Sequence, residues 1–566
     1  MSITSYASLI DPIRARAAAV PDWPAVVLLL EDGRRETVTA SALWADVLTA
    51  AGGLRSAGLQ RGDVVMVIMG HSRRLITSFL GAMALGAVPT LVSTATARVD
   101  LQIYRKRIAA LAIDAGAAAI VVNPADTVPL QNVLDGLEYR VIDGTQCSSD
   151  ADPTAVPPLP SPDQIAFIQY SSGSGGMQKG VAHTHRAVLR HIEHKRHGTP
   201  LTPDDVIVNW TPLYHDQGLV SGLLAPLVIG FRTVLMSPLQ WVRHPGLLLE
   251  AMHEYGGTLC YMPNFALNHC VRAMRERDGH NLDLSRWRLL LLGGEPVRAD
   301  SLEAFAQRFA AVGFRPAAFR AGYGMAEMVE GVTASRQGPP RVDWIDVATL
   351  QRDGRAEPVA RHAAGARSFV SCGPPKEGAE VRVVNADGTQ LPDRRAGEIE
   401  VRTDSMMREY HRRPDLTAAA FRDGWFRSGD LGYLAGGELY VVGRKKDLII
   451  SGGCNIVPDE LEAVAEQVPG VLPGRVVAFG VPDERNGTER VILVCESAQP
   501  GDAQHAIAIE RHLRRATTQT LGVTLGEVCM VERGWIIKTS SGKKARGDNR
   551  DKYLRQLRPD PEPRQS

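Results

Sequence analysis

The sequence predicts an α/β protein, with two α/β subdomains and a β-rich subdomain in a large N-terminal part and a smaller part at the C-terminus. Ala- and Leu-rich helical segments alternate with short Val and Ile runs up to about residue 150, and the alternation returns from Asp163 to about Ala334. This alternation is typical of helices packed on a largely parallel sheet. Short alternating runs from Phe369 to Gly443 predict the β-rich subdomain, and the chain beyond them restarts an α/β pattern.

The individual elements follow from hydrophobic patterning. Val64–Met69 and Ala118–Val122 are short apolar runs that predict buried strands, and Leu75–Val88 has the spacing of a helix. Ser148–Asp163 is rich in Pro, Ser and Asp and predicts a surface linker. Gln337–Arg367 is rich in Gly, Pro, Arg and Asp and has little periodicity, so it predicts an inserted loop region.

Composition and charge exclude several classes of function. The chain has 566 residues, of which 44% are hydrophobic and 22% charged, as in ordinary globular proteins. Lys and Arg total 64 and Asp and Glu total 63, so the formal net charge is +1. A nearly neutral chain has no bulk field that attracts nucleic acid or an anionic membrane. Any polyanion that it binds must therefore be held by a local site.

The cysteines and apolar segments predict a cytoplasmic protein that does not insert in a membrane. The seven cysteines are scattered and include no CxxC pair, which argues against a zinc site or a disulfide framework and is typical of a reducing compartment. Met1–Ala17 has no apolar signal-peptide core. Leu219–Gly230 is apolar but short and interrupted by Pro226, so we expect a buried core segment.

The strongest local motif is Gln169–Gly180, a Gly- and Ser-rich stretch that follows the apolar run Ile165–Ile168. Glycines and small hydroxyl residues let backbone N–H groups approach an anion closely, and Lys179 adds a positive charge. The spacing is not that of a Walker A motif. By itself the motif is compatible with a phosphate-binding loop and equally with a plain surface loop.

Further motifs follow, each of which alone is also compatible with a turn or a solvated charge pair. They are Leu292–Pro296, Gly322–Glu327, Trp425–Gly432, Val442–Ile450, Gly453–Asn455 and Lys538–Lys543. Taken together, in this order and spacing, they make the sequence resemble the adenylate-forming superfamily. This superfamily contains acyl-CoA synthetases, acyl-AMP ligases, luciferases and the adenylation domains of peptide synthetases. The resemblance covers essentially the whole chain.

Within this superfamily the sequence is most similar to the fatty acyl-AMP ligases. Trp210–Leu219 resembles their aromatic-His segment, and Ser237–Leu239 and Pro263–Ala266 resemble segments of their acyl pocket. Ala326 stands where acyl-CoA synthetases usually have Thr. The predicted insertion at about 337–367 lies where acyl-AMP ligases carry an insertion of their own.

The resemblance implies a reaction in two halves. A carboxylate attacks the α-phosphate of ATP and releases pyrophosphate, and a thiol then attacks the acyl-adenylate. It implies catalytic roles for Lys543, Glu327 and His215, with Glu327 as the Mg²⁺ ligand and His215 near the carboxylate end of the acyl pocket. It implies that ATP or AMP is bound by Ser171, Ser172, Gly173, Ser174, Gly176, Lys179, Gly293, Gly294, Glu295, Tyr323, Gly324, Met325, Ala326, Asp430 and Arg444.

The resemblance also implies two domains, 1–445 and a mobile lid at 446–566, with Lys446 as the hinge. In the family the lid rotates between the two half-reactions, so Lys543 belongs in the site during adenylation only. Three residues depart from the usual pattern: Gly175 replaces Thr or Ser, Gln178 replaces Pro before Lys179, and Ile537 replaces Pro before Lys538.

Three functions stay open at this point. The first is a ligase that activates a carboxylic, fatty acid and passes it to the phosphopantetheine thiol of an acyl carrier protein, as in polyketide or lipopeptide biosynthesis. The second is an acyl-CoA synthetase that uses free CoA. The third is a non-catalytic homologue that binds a nucleotide or a carrier. The arginines Arg511, Arg514, Arg515, Arg546 and Arg550 are compatible with carrier docking, or simply with a solvated face.

Overall fold

The computed structural model of the chain has a large N-terminal part and a C-terminal part that lies against it. It describes residues 2–95, 101–123, 140–144, 160–170, 178–274, 281–451, 454–483, 488–497, 503–539 and 542–557. The predicted linker 148–163 lies mostly outside the described residues.

The first region alternates helices and strands, as predicted. Its elements are α1 (Ile10–Ala19), β1 (Pro24–Leu29), β2 (Arg35–Thr39), α2 (Ala40–Ser56), β3 (Val64–Ile68), α3 (Arg73–Leu85), β4 (Val88–Leu91), α4 (Leu101–Ala115), β5 (Ala117–Val122) and β6 (Arg140–Asp143). Strands β4-β3-β5-β6 form a parallel sheet in that order.

The predicted strands β3 and β5 are confirmed, but the predicted helix Leu75–Val88 extends too far. Helix α3 begins after Ser72, whose hydroxyl accepts a hydrogen bond from the Leu75 amide. It ends at Leu85 because Gly86 takes a left-handed conformation with φ 85°. The sequence pattern could not separate the helix from β4, since both are mostly apolar and only two residues lie between them.

The second region contains a larger sheet. Its elements are β7 (Ile165–Tyr170), β8 (Gly180–Thr184), α5 (His185–Gly198), β9 (Val206–Asn209), α6 (Ala225–Ile229), β10 (Arg232–Met236), α7 (Pro238–Arg243), α8 (Gly246–Glu254), β11 (Leu259–Met262), α9 (Asn264–Ala273), β12 (Leu289–Leu292), α10 (Ala299–Phe309) and β13 (Phe319–Ala321). Seven strands are ordered β13-β12-β11-β9-β10-β1-β2, all parallel except the edge strand β2.

The apolar stretch Leu219–Gly230 is buried, as expected. It comprises most of a π-helix, Gln217–Leu224, and helix α6, and both pack in the core of the first two regions. Among the described residues, no helix has the length and hydropathy to cross a membrane.

The predicted inserted loop is wrong in its local structure. Residues 342–370 form β14 (Val342–Asp346), α11 (Val347–Asp353) and β15 (Ala366–Val370), with β14 and β15 antiparallel. Helix α11 begins because the Asp346 carboxylate caps the Thr349 amide, and it ends at Gly354, which is left-handed with φ 63°. Val347 joins the apolar core of the C-terminal part, so contacts distant in sequence stabilise this region.

The β-rich subdomain has the antiparallel character predicted. Its elements are β16 (Ala379–Val384), β17 (Gly397–Thr403), β18 (Glu409–Tyr410), α12 (Pro414–Ala420), β19 (Phe421–Arg422), β20 (Trp425–Ala435) and β21 (Glu438–Arg444). Strands β16-β17-β20-β19 form one sheet, to which β21 adds beside β20. Strand β18 pairs instead with β8 and so connects this subdomain to the second region.

The C-terminal part is α+β. It contains β22 (Ile449–Ser451), β23 (Cys454–Ile456), α13 (Pro458–Ala465), β24 (Val471–Asp483), β25 (Thr488–Ser497), α14 (Ala503–Leu521), β26 (Glu527–Val531) and α15 (Arg546–Gln556). Strand β25 pairs antiparallel with β24 and parallel with β26. The 445/446 domain boundary falls in the single 3-10 turn Lys445–Asp447 between β21 and β22, and it stays a prediction.

Candidate active site

Four adjacent strands of the large sheet bring the predicted motifs together. Because β13, β12, β11 and β9 are parallel neighbours, their carboxyl ends lie at one edge of the sheet. The segments after these ends are Trp210–Gln217, Pro263–Phe265, Gly293–Glu295 and Gly322–Glu327. A cavity of about 1160 Å³ lies there. The predicted site residues that line it are Lys179, His215, Gly294, Glu295, Tyr323, Gly324, Met325, Ala326, Glu327, Asp430, Arg444, Lys446 and Lys543.

One wall of the cavity joins Tyr323 to Asp430 and Arg444. The Tyr323 hydroxyl donates to Asp430 Oδ2 at 2.9 Å, and Arg444 Nε lies 3.1 Å from Asp430 Oδ1. Strand pairing places Asp430 directly opposite Arg444. Burial raises the pKa of the Asp430 carboxyl, while Arg444 and Tyr323 act in the opposite direction. The Tyr323 ring is thereby fixed in the wall, and the carboxylate stays available to accept hydrogen bonds.

Glu327 lies beside Tyr410 and Lys179. The Tyr410 hydroxyl donates to Glu327 Oε1 at 2.7 Å, and Lys179 Nζ lies 4.5 Å from the centre of the Tyr410 ring. This meeting follows from the pairing of β18 with β8, which puts Tyr410 opposite Val181. A single carboxylate suits Mg²⁺, which is commonly held by one or two carboxylates together with substrate phosphates and water. Glu327 can supply that carboxylate, and Lys179, which lines the same cavity, can supply positive charge to the phosphates.

Lys543 comes from the C-terminal part and enters the cavity. It lies within electrostatic reach of three carboxylates of the large part, Asp216, Glu295 and Asp430. Burial lowers the pKa of the Lys543 ammonium, and these carboxylates oppose the change. Its turn is fixed locally, because the Thr539 amide donates to the Lys543 carbonyl at 2.7 Å and the Lys543 amide donates to Thr539 Oγ1 at 3.1 Å.

His215 and Asp216 form an adjacent pair near the end of the segment Trp210–Gln217, which follows β9. His215 Nδ1 lies 2.5 Å from Asp216 Oδ1. Burial raises the pKa of Asp216, but His215 and Lys543 outweigh it and hold the pKa below its ordinary value. His215 therefore faces the charged centre of the site and is not packed in the apolar core. Next to this pair, the Gln217 amide lies against Gly294, whose φ of 80° requires glycine.

Gly324 explains part of the motif that contains Tyr323 and Glu327. A Cβ at this position would lie 1.9 Å from the Glu330 carbonyl oxygen, so only glycine allows the two backbone segments to approach. This close approach holds the chain as it turns from Tyr323 to Glu330.

Other predicted residues are placed differently or lie outside the description. Ser171, Ser172, Gly173, Ser174, Gly175 and Gly176 are outside the described residues. Gly293 follows β12 as expected, but the cavity lining includes its neighbour Gly294. Ser237–Leu239, which resembles an acyl-pocket segment, does not line this cavity, and its role in an acyl pocket stays a prediction. Trp241 is fully buried and stacks on Trp210 with ring centroids 3.6 Å apart, behind Phe265 of the cavity wall.

Two of the departures from the usual motif have structural consequences. The Ile537 amide donates to Asn549 Oδ1 at 2.8 Å, a hydrogen bond that proline could not make. Gln178 lines the cavity, and its buried Oε1 has no hydrogen-bond partner among the described residues.

Several polar contacts hold the C-terminal part against the large part. Arg367 Nε lies 3.1 Å from the Glu460 carboxylate, and Arg298 donates to the Asp459 carbonyl at 3.3 Å. Within the C-terminal part itself, Arg546 is mostly buried and pairs with Asp447, Asp459 and Glu462. Because Arg546 is buried and paired, it is neither solvated nor exposed for docking in this structure, and carrier docking at the other arginines stays a prediction.

Sequence reasoning assigned no role to several residues of the cavity. Tyr410 had no motif signal, because it reaches Glu327 only through strand pairing. Asp216 and Gln217 lie within Trp210–Leu219, the segment that resembles the aromatic-His segment of the family. The charge of Asp216 and the position of both residues beside His215 could have identified them. Glu330, three residues after Glu327 in an otherwise apolar run, could have been identified in the same way.

Comparison with known proteins decides the family. A family model described as AMP-binding enzyme matches residues 13–411. The chain belongs to the AMP-binding enzymes. This AMP-binding enzyme is 30% identical over 550 residues to the long-chain-fatty-acid–AMP ligase FadD26 of Mycobacterium marinum, with 92% of each chain covered. It is 31% identical over 525 residues to a Caulobacter vibrioides protein provisionally named an acyl-CoA synthetase, with 92% of this chain and 91% of that one covered.

The fold agrees with these relatives. A solved structure from a study of fatty acyl-adenylate ligases of E. coli and L. pneumophila superposes with a TM-score of 0.91 at 27% identity, covering 98% of this chain and 99% of that one. The predicted α/β fold class and the predicted resemblance to acyl-AMP ligases are confirmed. This AMP-binding enzyme is an adenylate-forming ligase that uses ATP.

Proposed function

We propose that this enzyme activates a fatty-type carboxylic acid to its acyl-adenylate and then transfers the acyl group to the phosphopantetheine thiol of an acyl carrier protein. The principal support is the position of Lys543. It reaches from the C-terminal part to Asp216, Glu295 and Asp430 in the cavity that Tyr323 and Glu327 also line. The Lys543 ammonium can neutralise an anionic nucleotide and an anionic acid that share one site. The Tyr323 ring can contact a base, and the Glu327 carboxylate can hold a metal ion.

In the first half-reaction a carboxylate oxygen attacks the α-phosphorus, the bond from this phosphorus to the bridging oxygen breaks, and pyrophosphate leaves. Lys543 neutralises charge on the carboxylate and the α-phosphate, and Lys179 with the Gly- and Ser-rich residues 171–177 binds the outer phosphates. Tyr323 offers its ring face to adenine, and Asp430 accepts hydrogen bonds from the ribose hydroxyls with help from Arg444. Glu327 would hold Mg²⁺, which supplies charge neutralisation when bound.

In the second half-reaction a thiol sulfur attacks the acyl carbonyl carbon, the bond to the AMP oxygen breaks, and the thiol proton passes to solvent. Lys543 then has no role, so rotation of residues 446–566 about Lys446 would clear the site for the incoming thiol. Lys446 lies on the exposed 3-10 turn between β21 and β22, as a hinge requires.

The names of the relatives do not agree on the acyl acceptor. The FadD26 relative is named an AMP ligase, whereas the Caulobacter relative is provisionally named an acyl-CoA synthetase. Ala326 and the strand–helix–strand unit at 342–370, which overlaps the insertion predicted at about 337–367, favour the carrier protein, as in the acyl-AMP ligases that the sequence resembles. Free CoA is the second candidate. A role in polyketide or lipopeptide biosynthesis would follow from the first.

The test uses the full chain with ATP, Mg²⁺ and a panel of carboxylic acids. Acyl-AMP is detected by mass spectrometry and pyrophosphate by a coupled assay, and either CoA or a holo carrier protein is then added. We expect acyl-AMP with some acids, slow acyl-CoA formation and fast acylation of the carrier. Rapid acyl-CoA formation would move the assignment to a CoA ligase, and no adenylate with any acid would contradict catalysis and favour a binding protein.

A further inference from the structure

A buried, charged cluster forms part of the cavity wall beyond the reaction centre. Glu330 lines the cavity, and only 4% of the residue is exposed. Lys195 Nζ, from α5, donates to its two carboxylate oxygens at 3.2 and 3.0 Å. The Ser221 hydroxyl of the π-helix also donates to this carboxylate. Burying an ion pair is costly, and an apolar pair of similar size would serve packing equally well or better.

The backbone on either side of Glu330 is tightly constrained. Val329, just before it, has φ 67°, a conformation that β-branched residues rarely adopt. The Glu330 carbonyl packs directly on Gly324 of the Tyr323–Glu327 motif. Glu330 is therefore held in fixed relation to the residues that we assign to adenine and Mg²⁺.

A polar wall connects the reaction centre to Glu330. Asp216 is within electrostatic reach of both Lys543 and Glu330. The next residue, Gln217, lies close to the Tyr261 hydroxyl beside Gly293, and both side chains line the cavity. Lys195 Nζ lies 5.8 Å from the centre of the Tyr261 ring. An acid whose carboxylate meets Lys543 thus has polar side chains along this wall, where an unsubstituted alkyl chain would need apolar ones.

The charge balance restricts which polar group fits. Lys195 already neutralises Glu330, and Lys376, whose pKa burial lowers to about 7, donates to the adjacent Gly331 carbonyl at 2.9 Å. His191 Nε2 lies 3.5 Å from Glu330, and burial lowers the pKa of this imidazole to about 4, so it is neutral. A substrate ammonium would lie beside the Lys195 ammonium that already pairs with Glu330, and a second substrate carboxylate would meet Glu330 itself. A neutral hydroxyl avoids both repulsions, donates to Glu330 and can accept from Tyr261.

We propose that the acid activated by this enzyme carries a hydroxyl group on its acyl chain, and that Glu330, positioned by Lys195, recognises this hydroxyl. The proposal rests on the proposed function, because it concerns the acid site of the adenylation reaction. Glu330 is then a specificity-determining residue that contacts substrate, and Lys195 is a positioning residue.

The test compares medium-chain acids with analogues of equal length that bear a hydroxyl or an amino group at successive carbons. Pyrophosphate release gives kcat/KM for each acid, and calorimetry with the matching non-hydrolysable acyl-sulfamoyl adenosines gives a binding ratio that does not depend on turnover. We expect the best hydroxy acid to exceed its unsubstituted parent by at least about tenfold, because the parent strips water from a charged pair without replacing its hydrogen bonds.

Two variants separate recognition from folding. Glu330→Leu combined with Lys195→Met removes both charges together, which buried ion pairs commonly tolerate, and is expected to bring the hydroxy-to-parent ratio close to one. Glu330→Gln keeps the shape of the side chain and should lower the ratio less. Glu193→Gln is the matched control, because Glu193 lies on the same helix as Lys195 but pairs with Arg196 outside this cavity, and its ratio should not change.

The outcomes distinguish this inference from the proposed function. Activation of the unsubstituted parents as fast as every hydroxy analogue would overturn the inference and leave the ligase assignment intact. A preference for amino analogues, or an unchanged ratio in the double variant, would also overturn it. Failure to form any adenylate would overturn the proposed function itself.

Discussion

Lys543→Met separates the roles of two neighbouring lysines. The substitution keeps an unbranched side chain of similar length and removes the ammonium. Lys543 faces Asp216, Glu295 and Asp430 across the cavity, whereas Lys544 bonds Glu462 at 2.7 Å and Glu466 at 3.2 Å within the C-terminal part. Two adjacent residues with the same chemistry therefore have different partners, and Lys544→Met is the matched control.

We expect Lys543→Met to lower the adenylation rate without lowering stability, and Lys544→Met to do the reverse. Removing one preorganised charge that stabilises the transition state costs about 2.7–4 kcal/mol, or roughly 10²–10³ in kcat. Stability should not fall in Lys543→Met, because burial lowers the pKa of this lysine and its ammonium is therefore disfavoured in the folded chain. Lys544 differs, because Glu462 and Glu466 outweigh burial and raise its pKa. Its side chain is 20% exposed, so Lys544→Met should lose about 1–3 kcal/mol, less than a fully buried pair.

The assay measures the two half-reactions apart. Pyrophosphate release reports adenylation, and transfer from chemically prepared acyl-AMP to the thiol acceptor reports the second step. Thermal unfolding of both variants reports stability. We expect Lys543→Met to lose adenylation only and Lys544→Met to lose stability while keeping most of its rate. Normal adenylation by Lys543→Met would refute the assignment, and equal slowing of both half-reactions would refute a role limited to the first.

Three further predictions test the rest of the site. Tyr323→Phe removes the 2.9 Å hydrogen bond to the buried Asp430 carboxylate, and the KM for ATP should rise roughly tenfold, since a hydrogen bond to a charged group contributes about 1.5–3 kcal/mol; an unchanged KM at saturating acid would contradict the ribose role of Asp430. Glu327→Gln keeps an acceptor for the Tyr410 hydroxyl but loses the negative charge, so the Mg²⁺ concentration that gives half-maximal rate should rise at least about tenfold. A metal titration identical to that of the wild type would exclude Glu327 as the ligand. Burial lowers the pKa of Lys376 to about 7, so between pH 7 and about 10 the unfolded chain binds more protons at this residue and rising pH stabilises the fold. Lys376→Met should therefore gain most stability over wild type below pH 7 and lose that gain as the pH rises, and a difference in the free energy of unfolding that does not vary with pH would contradict the buried-amine interpretation.

The sequence alone determined the family and the identity of most groups in the site. Motifs such as Gly322–Glu327 and Lys538–Lys543 are local. A few consecutive residues determine a turn, a close backbone approach or the spacing of a charge. Strands β3 and β5 and the antiparallel runs after Phe369 were predictable for the same reason, since hydrophobic periodicity is a local property. Gly324 is an example, because the motif contains the glycine that the structure requires against Glu330.

The tertiary structure decided which of these groups meet. Tyr410 reaches Glu327 because strand pairing brings together two segments that are distant in sequence. Asp430 faces Arg444 because of the register of two paired strands, which the motifs do not encode. Gln337–Arg367 was predicted to be a loop because its helix and strands are short and weakly periodic. Their stability comes from contacts such as that of Val347 with the C-terminal core. Lys195 and Glu330 are 135 positions apart in sequence, so their pairing at the cavity wall had no local signal. Long-range pairing and burial depend on the whole fold, and for that reason the chemistry of this enzyme followed from its sequence while the shape and polarity of its acid pocket required the structure.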